Sequence, residues 1–265
     1  PFDVGIFGSP TTFEAQSTHG FVQKNTLYAQ TLFQEEMVLG VGVSHQKNNF
    51  KTNLFNPESG RFLYADNADY YSTYGYLKID TRDNAFYPNQ GGFFEGHAEY
   101  FFSQKTTQTL DPFKSFFVGK AEMGVAVPLH KKWTVSFNTM GGFTIGNANT
   151  PTFDFRLGGY GNAPVLNFQP FVGLPQQQIR GDSYVKGEVV MDYEWLTRHH
   201  MRLLLHSAIV ENDIFSTSQW AKKPDFFGLG LAYGLETFAG PLEITTAYSP
   251  QLGKLVYHAS FGWRF

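Results

Sequence analysis

Acidic, basic and histidine side chains recur along this chain of 265 residues at positions that could carry acid–base or metal chemistry. They alternate with apolar residues and do not cluster: Glu95, His97, Glu99, Lys120, Glu122, Lys186, Glu188, Arg202, His206, Glu236, His258 and Arg264. No group of His, Asp and Glu has the spacing of a metal site, and no glycine-rich loop precedes a helical pattern. We therefore expect charge networks with a structural role here, and no catalytic residue, metal or cofactor.

The composition excludes several other classes of protein. Aromatic residues make up 17% of the chain, which is enough apolar surface to exclude disorder. The chain has no Cys, so thiolate catalysis and cysteine zinc sites are excluded. The formal net charge of -3 gives no basic footprint, and we expect no nucleic-acid partner. The longest uncharged stretches, 133–153 and 157–179, are rich in Asn, Gln, Thr, Gly and Pro, so they predict no membrane-spanning helix.

The hydrophobic pattern has a period of two over most of the chain. From Tyr184 to Trp195, for example, one set of alternate positions is apolar and the other includes Lys186, Glu188 and Asp192, which is typical of a β-strand. The pattern predicts an all-β fold of about 13 strands, at 2–8, 11–22, 25–34, 36–46, 70–82, 92–103, 115–128, 131–145, 184–196, 201–212, 225–237, 240–249 and 254–265. Several of these strands reach the length of about 9 to 11 residues that crosses a bilayer.

The connectors between the predicted strands alternate between short and long. The short connectors are 34–35, 130–131, 197–200 and 238–239, and the long ones are 47–69, 105–114, 146–183 and 212–225. Short turns on one side and long loops on the other are typical of an outer-membrane β-barrel.

A large soluble β-sandwich or barrel is the alternative, because its strands also alternate. Its second face would be a solvated surface rich in Lys and Glu, whereas here that face carries Gly, Ser, Thr, His and scattered charge. Aromatic residues also stand at strand ends, as expected for girdles at the membrane interfaces: Trp133, Trp195, Phe227, Tyr248, Trp263 and Phe265. Both observations favour the membrane barrel.

Three segments carry a resemblance to one family. Residues 80–91 include Asp80, Arg82, Asp83, Pro88 and Gly91, and they resemble a hairpin motif of the bacterial surface-antigen superfamily of outer-membrane barrels. The segment Ile179, Arg180, Gly181 and Asp182 resembles the Val-Arg-Gly-aromatic motif of a long loop in that superfamily, with Asp182 in place of the aromatic residue. The ending with Phe261, Trp263 and Phe265 is similar to the signal by which outer-membrane proteins are recognised for insertion.

The resemblance implies a fold and a location. Residues 1–265 would form an antiparallel transmembrane β-barrel domain in the outer membrane of a Gram-negative bacterium, and the loop at 146–183 would fold into the barrel lumen. A 16-stranded member would have about three more strands and any further domain upstream of this segment. An odd number of strands would also prevent this segment from closing alone, because antiparallel closure needs an even number.

The resemblance also implies partners for Arg180. In the family, the loop Arg meets an acidic residue on the lumen wall. Glu194 matches the position of that acid, Asp192 lies on the same predicted strand, and His206 takes the position of a second acid on the following strand. A guanidinium binds a carboxylate well through two parallel hydrogen bonds, so we expect Arg180 to contact Glu194 or Asp192.

Several functions are compatible with such a barrel. The superfamily includes the central subunit of the barrel-assembly machinery, two-partner secretion transporters and the barrels of bacterial patatin-like phospholipases, and residues 153–181 look most like the last of these. We expect a translocator or anchor for an N-terminal patatin-like lipid hydrolase, whose catalytic motif would lie upstream because no G-x-S-x-G occurs here. An assembly insertase or secretion pore, and a structural subunit of a larger complex, are the alternatives. The expected partners are the bilayer, lipopolysaccharide, the barrel-assembly machinery during insertion, and a homo-oligomer or larger outer-membrane complex.

Overall fold

The structure is a computed structural model that describes residues 2–15, 18–33, 36–52, 55–56, 61–62, 67–106, 112–146, 151–160, 167–175 and 179–262. Its strands are β1 (Phe2–Ala15), β2 (Thr18–Phe33), β3 (Met37–Thr52), β4 (Phe55–Asn56), β5 (Arg61–Phe62), β6 (Asn67–Asp80), β7 (Gly91–Thr106), β8 (Phe116–His130), β9 (Trp133–Ile145), β10 (Phe155–Leu157), β11 (Phe168–Gln169), β12 (Ile179–Gly181), β13 (Ser183–Leu196), β14 (His199–Glu211), β15 (Phe226–Thr237), β16 (Gly240–Ser249) and β17 (Lys254–Phe261). Two short 3₁₀ helices cover Pro151–Phe153 and Gln219–Ala221.

Twelve of these strands form one antiparallel sheet, which confirms the all-β prediction. Their order is β1-β2-β3-β6-β7-β8-β9-β13-β14-β15-β16-β17, so strands that are consecutive in the chain lie side by side. The remaining strands form a sheet of three, β11-β10-β12, and a pair, β4-β5, both within long connectors. In the described part of the chain, no helix has the length and apolar character needed to cross a membrane.

The N-terminal strands differ from the sequence-based prediction. The three strands predicted at 2–8, 11–22 and 25–34 are two in the structure, since β1 pairs with β2 from Phe2↔Thr31 to Ala15↔Thr18. Residues 9 and 10 separate the first two predicted strands, but in the structure both lie inside β1, where Pro10 pairs with Gln23 of β2. The described main sheet therefore has twelve strands, where the sequence predicts about 13.

The alternation of short and long connectors is confirmed. Two or three residues separate β2 from β3, β8 from β9, β13 from β14 and β15 from β16. The long connectors precede β6, β8, β13 and β15. We call the end of the sheet with the long connectors the loop side and the other end the turn side; the ten-residue connector between β6 and β7 belongs to the turn side.

The chain forms two compact units, which we describe separately. The first contains Pro1–Lys78, Gly96–Gly119 and Thr144–Phe153, and the second contains Ile79–Glu95, Lys120–Phe143 and Asp154–Phe265. In the first unit, Glu99 is buried and accepts hydrogen bonds from Lys24 Nζ (2.8 Å), Ser72 Oγ (2.6 Å) and Ser44 Oγ (3.2 Å). Apolar side chains on the other face of the same strands are exposed: Leu27, Leu39, Val41, Val43 and Phe102.

The second unit has the same division between a buried polar face and an exposed apolar face. We call the face of β13–β16 that carries Lys186, Asp192 and their register neighbours the inner face, and the opposite face the outer face. The side chain of Lys186 is fully buried, whereas Leu231 on the outer face is 65% exposed. The second predicted face is therefore a buried interior and not a solvated surface, as the membrane-barrel interpretation requires.

Candidate functional site

Two segments cover the inner face of β13–β16 in the second unit. Residues 168–174 reach the inner face from the loop side, and we call them the loop tip. Residues 81–90 reach it from the turn side, and we call them the turn segment. The two segments contact different levels of the same strands and together form the candidate functional site.

The loop tip is held by a small sheet of its own. β12 pairs antiparallel with β10, and β11 pairs parallel with β10. Phe155, Leu157, Phe171 and Leu174 are buried almost completely, so the loop has an apolar core that packs against the inner face. Gly142 on β9 leaves space for this core, because a Cβ at that position would lie 2.6 Å from the Phe155 ring.

Backbone groups of the loop tip contact charged side chains of β13 and β14. Lys186 Nζ donates to Pro170 O (2.7 Å) and to Glu188 Oε2 (3.1 Å). The Val172 N–H group donates to His206 Nδ1 (3.2 Å), so this nitrogen carries no proton and the proton of the neutral ring is on Nε2. His206 Nε2 lies 2.9 Å from Glu188 Oε2. Glu188 thus links the Lys186 ammonium group and the His206 imidazole ring in one buried network.

An apolar layer lies on the turn side of this network, on the inner face. Val190, Leu204, Ala232 and Ala247 form a buried cluster with Tyr160 and Val172 of the loop. Gly228 on β15 permits the close approach of the loop tip, because a Cβ there would lie 2.1 Å from Val172 O. The loop tip is therefore packed against the strands as tightly as a protein core.

The turn segment has a rigid frame built by the predicted hairpin motif. Arg82 donates through Nε and Nη2 to the two carboxylate oxygens of Asp80, at 2.9 and 2.7 Å. Asp83 Oδ1 accepts from the backbone N–H groups of Asn89 (2.8 Å) and Gln90 (3.2 Å). Gly91 has φ +98°, and a Cβ there would lie 2.3 Å from Thr81 O, so the motif needs glycine at this position. Pro88 lies within the turn that these contacts fix.

Tyr87 is the side chain that this frame presents to the inner face. Its ring stacks on the His200 ring with centroids 4.0 Å apart and 6° between the planes. The Arg202 guanidinium lies 5.4 Å from the Tyr87 ring centroid, and a Cβ on Gly234 would lie 2.4 Å from Tyr87 Oη. Burial raises the pKa of the Tyr87 phenol, so the side chain stays protonated at physiological pH.

Ion pairs and hydrogen bonds surround this stack. His200 Nδ1 lies 3.0 Å from Asp192 Oδ2, and Arg202 Nη1 donates to Glu243 Oε2 at 2.5 Å. Asn84 Nδ2 of the turn segment donates to Glu236 Oε1 on β15 at 2.7 Å. His200 is buried, although it lies only two residues from the tight turn between β13 and β14.

The structure does not bring Arg180 to its predicted partners. Arg180 Nε lies 3.2 Å from Asp154 Oδ2 within the loop, and about half of the Arg180 side chain is exposed. Asp192 is engaged with His200, and Glu194 accepts from the Arg198 N–H group at the turn (3.0 Å). The expected contact is corrected for a geometric reason: Arg180 precedes the loop-side end of β13, and Asp192 lies about 30 Å further along that strand at 3.3 Å per residue.

The other predicted residues of this loop have structural contacts. His206 does meet the loop, but through Val172 and not through Arg180. Asp182 Oδ1 accepts from the Asp213 N–H group and from Ser183 Oγ, both at 2.8 Å, so it joins the ends of two long connectors. Ile179 pairs with Leu157 in the small sheet, and Gly181 pairs with Phe155.

The predicted insertion signal is only partly described. Phe261 pairs with Leu242 on the outer face and is exposed. Trp263 and Phe265 lie outside the described residues.

The sequence interpretation missed Tyr87, His200 and Glu243 as members of the site. One signal was present: Gly228, Gly230 and Gly234 occupy alternate inner positions of β15, as expected where other segments approach a strand closely. Within the described part of the chain, no three His, Asp or Glu side chains are placed to hold a metal ion. The arrangement joins segments to strands, and its chemistry is that of a structural network.

An antiparallel sheet with an exposed apolar face and a buried polar face that carries folded-in loops defines the transmembrane β-barrel class. The sequence matches the OMP85 superfamily over residues 17–265, and the chain belongs to that superfamily. The fold is similar to that of BamA from Haemophilus ducreyi lacking POTRA domains 1-3, with a TM-score of 0.69, 11% identity and coverage of 97% of this chain. This chain spans 58% of the length of that BamA chain. No curated protein matches the chain significantly.

These comparisons confirm the superfamily and the location. The chain has the fold of a bacterial outer-membrane β-barrel, and the outer face of its strands is the face that meets the bilayer. The patatin-linked subfamily remains a prediction.

Proposed function

We propose that this chain is the membrane-embedded part of a protein that anchors an upstream passenger domain in the outer membrane or carries it across. A patatin-like lipid hydrolase is the first candidate for that passenger, because residues 153–181 resemble the corresponding loop of the patatin-linked barrels. The observation that carries the proposal is the occupation of the inner face by the loop tip and the turn segment.

A passive diffusion pore needs an inner face that is free and wetted by water. Here Lys186 of the inner face is buried, and Val172 of the loop tip and Tyr87 of the turn segment are buried as well. Removing the loop tip would break the hydrogen bonds of Lys186 with Pro170 and of His206 with Val172, and removing the turn segment would break the stack of Tyr87 on His200. A filled interior suits an anchor, or a translocator whose interior segments move only while a passenger crosses.

The location of the upstream region tests this proposal. An epitope tag is placed in the natural protein just upstream of residue 1, and intact cells are treated with a protease before and after the outer membrane is permeabilised. An anchor or translocator of a surface passenger should lose the tag in intact cells. A tag that is lost only after permeabilisation would show that the upstream region stays in the periplasm, and the passenger proposal would be wrong.

An assembly insertase or secretion pore is the second candidate, favoured by the similarity to the BamA fold. Periplasmic upstream domains would then be expected, and the same tag experiment would report them as protected. Depletion of the protein should in that case lower the amount of other folded outer-membrane barrels, or of a secreted substrate, while depletion of a passenger anchor should leave both unchanged.

A further inference from the structure

Two neighbouring turns on the turn side of the second unit carry a cluster of cations. The turn between β8 and β9 contains Lys131 and Lys132, and the turn between β13 and β14 contains Arg198. All three residues are exposed, and we call them the basic rim. The two turns are in direct contact, since the Glu194 N–H group donates to Lys132 O (3.0 Å) and Lys132 Nζ donates to Trp195 O (3.1 Å).

The side chains of the basic rim have no acidic partner. None of the three forms an ion pair with another residue in the described part of the chain. Glu194 Oε1 at the end of β13 accepts from the Arg198 backbone N–H group (3.0 Å), so this carboxylate caps the turn. The short connectors are not basic in general, because the one between β2 and β3 contains Glu35 and Glu36 and no cation. The positive charge is therefore particular to these two turns and is available to an anion.

Arg198 occupies a backbone conformation that its residue type does not favour. Its φ angle is +68°, in the left-handed region, next to the register shift between Glu194 and Leu196. Gly and Asn adopt this conformation readily, whereas an Arg there raises the conformational energy of the turn. The Arg198 side chain forms no hydrogen bond, ion pair or ring contact among the described residues that would offset this cost. Strain of this kind indicates a function, and an exposed guanidinium without a protein partner suits a ligand outside the chain.

Aromatic side chains place the basic rim at the level of the lipid headgroups. Trp133 and Tyr193 are register partners on the outer face, and their rings stack with centroids 4.6 Å apart. Trp195 at the end of β13 is exposed as well. Trp and Tyr are enriched where a membrane protein passes from hydrocarbon to water. Lys132 directly precedes Trp133, and Arg198 lies three residues beyond Trp195, so both cations lie just outside the hydrocarbon layer.

We propose that the basic rim binds the headgroup of an anionic phospholipid. In an outer-membrane barrel the short turns face the periplasm, so the rim meets the periplasmic leaflet, which consists of phospholipids. Lysine and arginine side chains both bind phosphate, and the guanidinium of Arg198 can do so through two parallel hydrogen bonds. A zwitterionic phospholipid would bring its own ammonium group toward three cations, whereas an anionic headgroup brings only negative charge. This site is independent of what the upstream region does.

The lipid preference of the purified protein tests the proposal. The full-length natural protein in detergent is mixed with equal amounts of phosphatidylglycerol and phosphatidylethanolamine that carry the same acyl chains. Native mass spectrometry then counts the lipids of each kind that stay bound. We expect wild type to retain phosphatidylglycerol in preference. Lys131→Gln and Arg198→Gln should each lower this preference about fivefold, which is usual for one cation near an anionic lipid surface.

Two further variants separate lipid binding from stability and from general charge. Arg198→Asn removes the cation but suits the left-handed backbone, so it should lower the preference while the folded gel band melts at the same or a higher temperature. A fall in stability with an unchanged preference would show that Arg198 serves the turn alone and would contradict the proposal. Lys223→Gln combined with Lys254→Gln removes two exposed cations on the loop side and should leave the preference unchanged.

Three results would overturn the proposal. They are equal binding of both lipids by wild type, an unchanged preference when Lys131→Gln and Arg198→Gln are combined, and an equal loss of preference in the loop-side control. Folding is checked by the shift in gel mobility between unboiled and boiled samples. If the combined variant does not fold, Lys131→Gln and Arg198→Asn are compared singly with the loop-side control, and each should still show the weaker preference.

Discussion

The phenol ring of Tyr87 lies parallel to the imidazole ring of His200, with 4.0 Å between the centroids. Tyr87 belongs to the connector between β6 and β7, and His200 belongs to β14, so this contact ties a turn-side connector to the inner face of distant strands. Gly234 on the neighbouring strand has no side chain to obstruct it. The hydrogen bonds of the hairpin motif hold the turn segment in the conformation that places Tyr87 against His200.

Tyr87→Ala should destabilise the barrel and uncover the turn-side part of the inner face. The loss of a buried aromatic ring costs about 3–5 kcal/mol in a packed site. Tyr87→Phe retains the ring and its stacking and should lose far less. The temperature at which unboiled protein loses its folded gel mobility measures the loss of stability. Ion conductance in planar bilayers measures how far the inner face is uncovered. Equal melting of Tyr87→Ala and wild type would show that the contact does not hold the turn.

Gly234→Ala should reproduce part of the Tyr87→Ala defect, because the new Cβ would lie 2.4 Å from Tyr87 Oη. Gly230→Ala is the matched control on the same strand, since its Cβ would lie 3.3 Å or more from the side chains of Leu204 and Thr245 and would not meet Tyr87. The double variant with Tyr87→Ala should be less destabilised than the sum of the two single variants. Additive losses of stability would contradict a direct contact between the two positions.

Lys186→Met should weaken the attachment of the loop tip. The substitution removes the donor to Pro170 O, and it leaves the buried Glu188 without its lysine partner. Loss of one partner from a buried ion pair costs about 3–5 kcal/mol. Lys222→Met removes a lysine that is ion-paired on the exposed connector and should change the stability little. Limited proteolysis of the connector between β9 and β13 reports the difference. Equal protection of that connector in both variants would show that Lys186 does not hold it.

Arg180→Ala should cost less than about 1 kcal/mol, because its ion pair with Asp154 is half exposed. Replacing an Arg that is buried against a carboxylate of the barrel wall would cost about 3–5 kcal/mol. Melting of the folded gel band distinguishes the two values. A large loss in Arg180→Ala would indicate that the Arg meets the wall in solution.

The protonation of Asp154 should make the loop more stable in acid. Burial raises the pKa of its carboxyl, and Arg180 and Arg156 oppose this rise. Since the folded pKa lies above the unfolded one, the stabilisation from the bound proton is complete below the unfolded pKa and is lost as the pH rises through the folded pKa. Asp154→Asn should remove this dependence and leave the loop at least as protected at neutral pH. Proteolysis over a pH series checks the sign, and a loop that is less protected in acid than at neutral pH would contradict it.

The orientation in the membrane can be tested with single cysteines, because the chain has none of its own. Ser216→Cys, in the connector between β14 and β15, should react with an impermeant maleimide on intact cells. Lys131→Cys, in a tight turn, should react only after the outer membrane is permeabilised. The reverse pattern would show that the loop side faces the periplasm.

The sequence alone determined the strands, their two faces and the alternation of connectors. The reason is that side chains point to opposite faces of a strand with a period of two, so apolar and polar positions can be read directly from neighbours in the chain. The alternating residues of 184–195, for example, occupy β13 as predicted. The exception is the N-terminal region, where the residues 9 and 10 between two predicted strands lie inside the single strand β1.

Only the tertiary structure decided which groups meet on the inner face. The loop tip contacts Lys186 and His206 through the backbone groups of Pro170 and Val172, and backbone groups carry no residue identity that a sequence could reveal. Tyr87 and His200 are far apart in the chain, and their contact depends on how a turn folds against strands that it does not adjoin. Arg180 found Asp154 and not Glu194 because the path of the loop, and not the presence of a motif, sets the distance between charges.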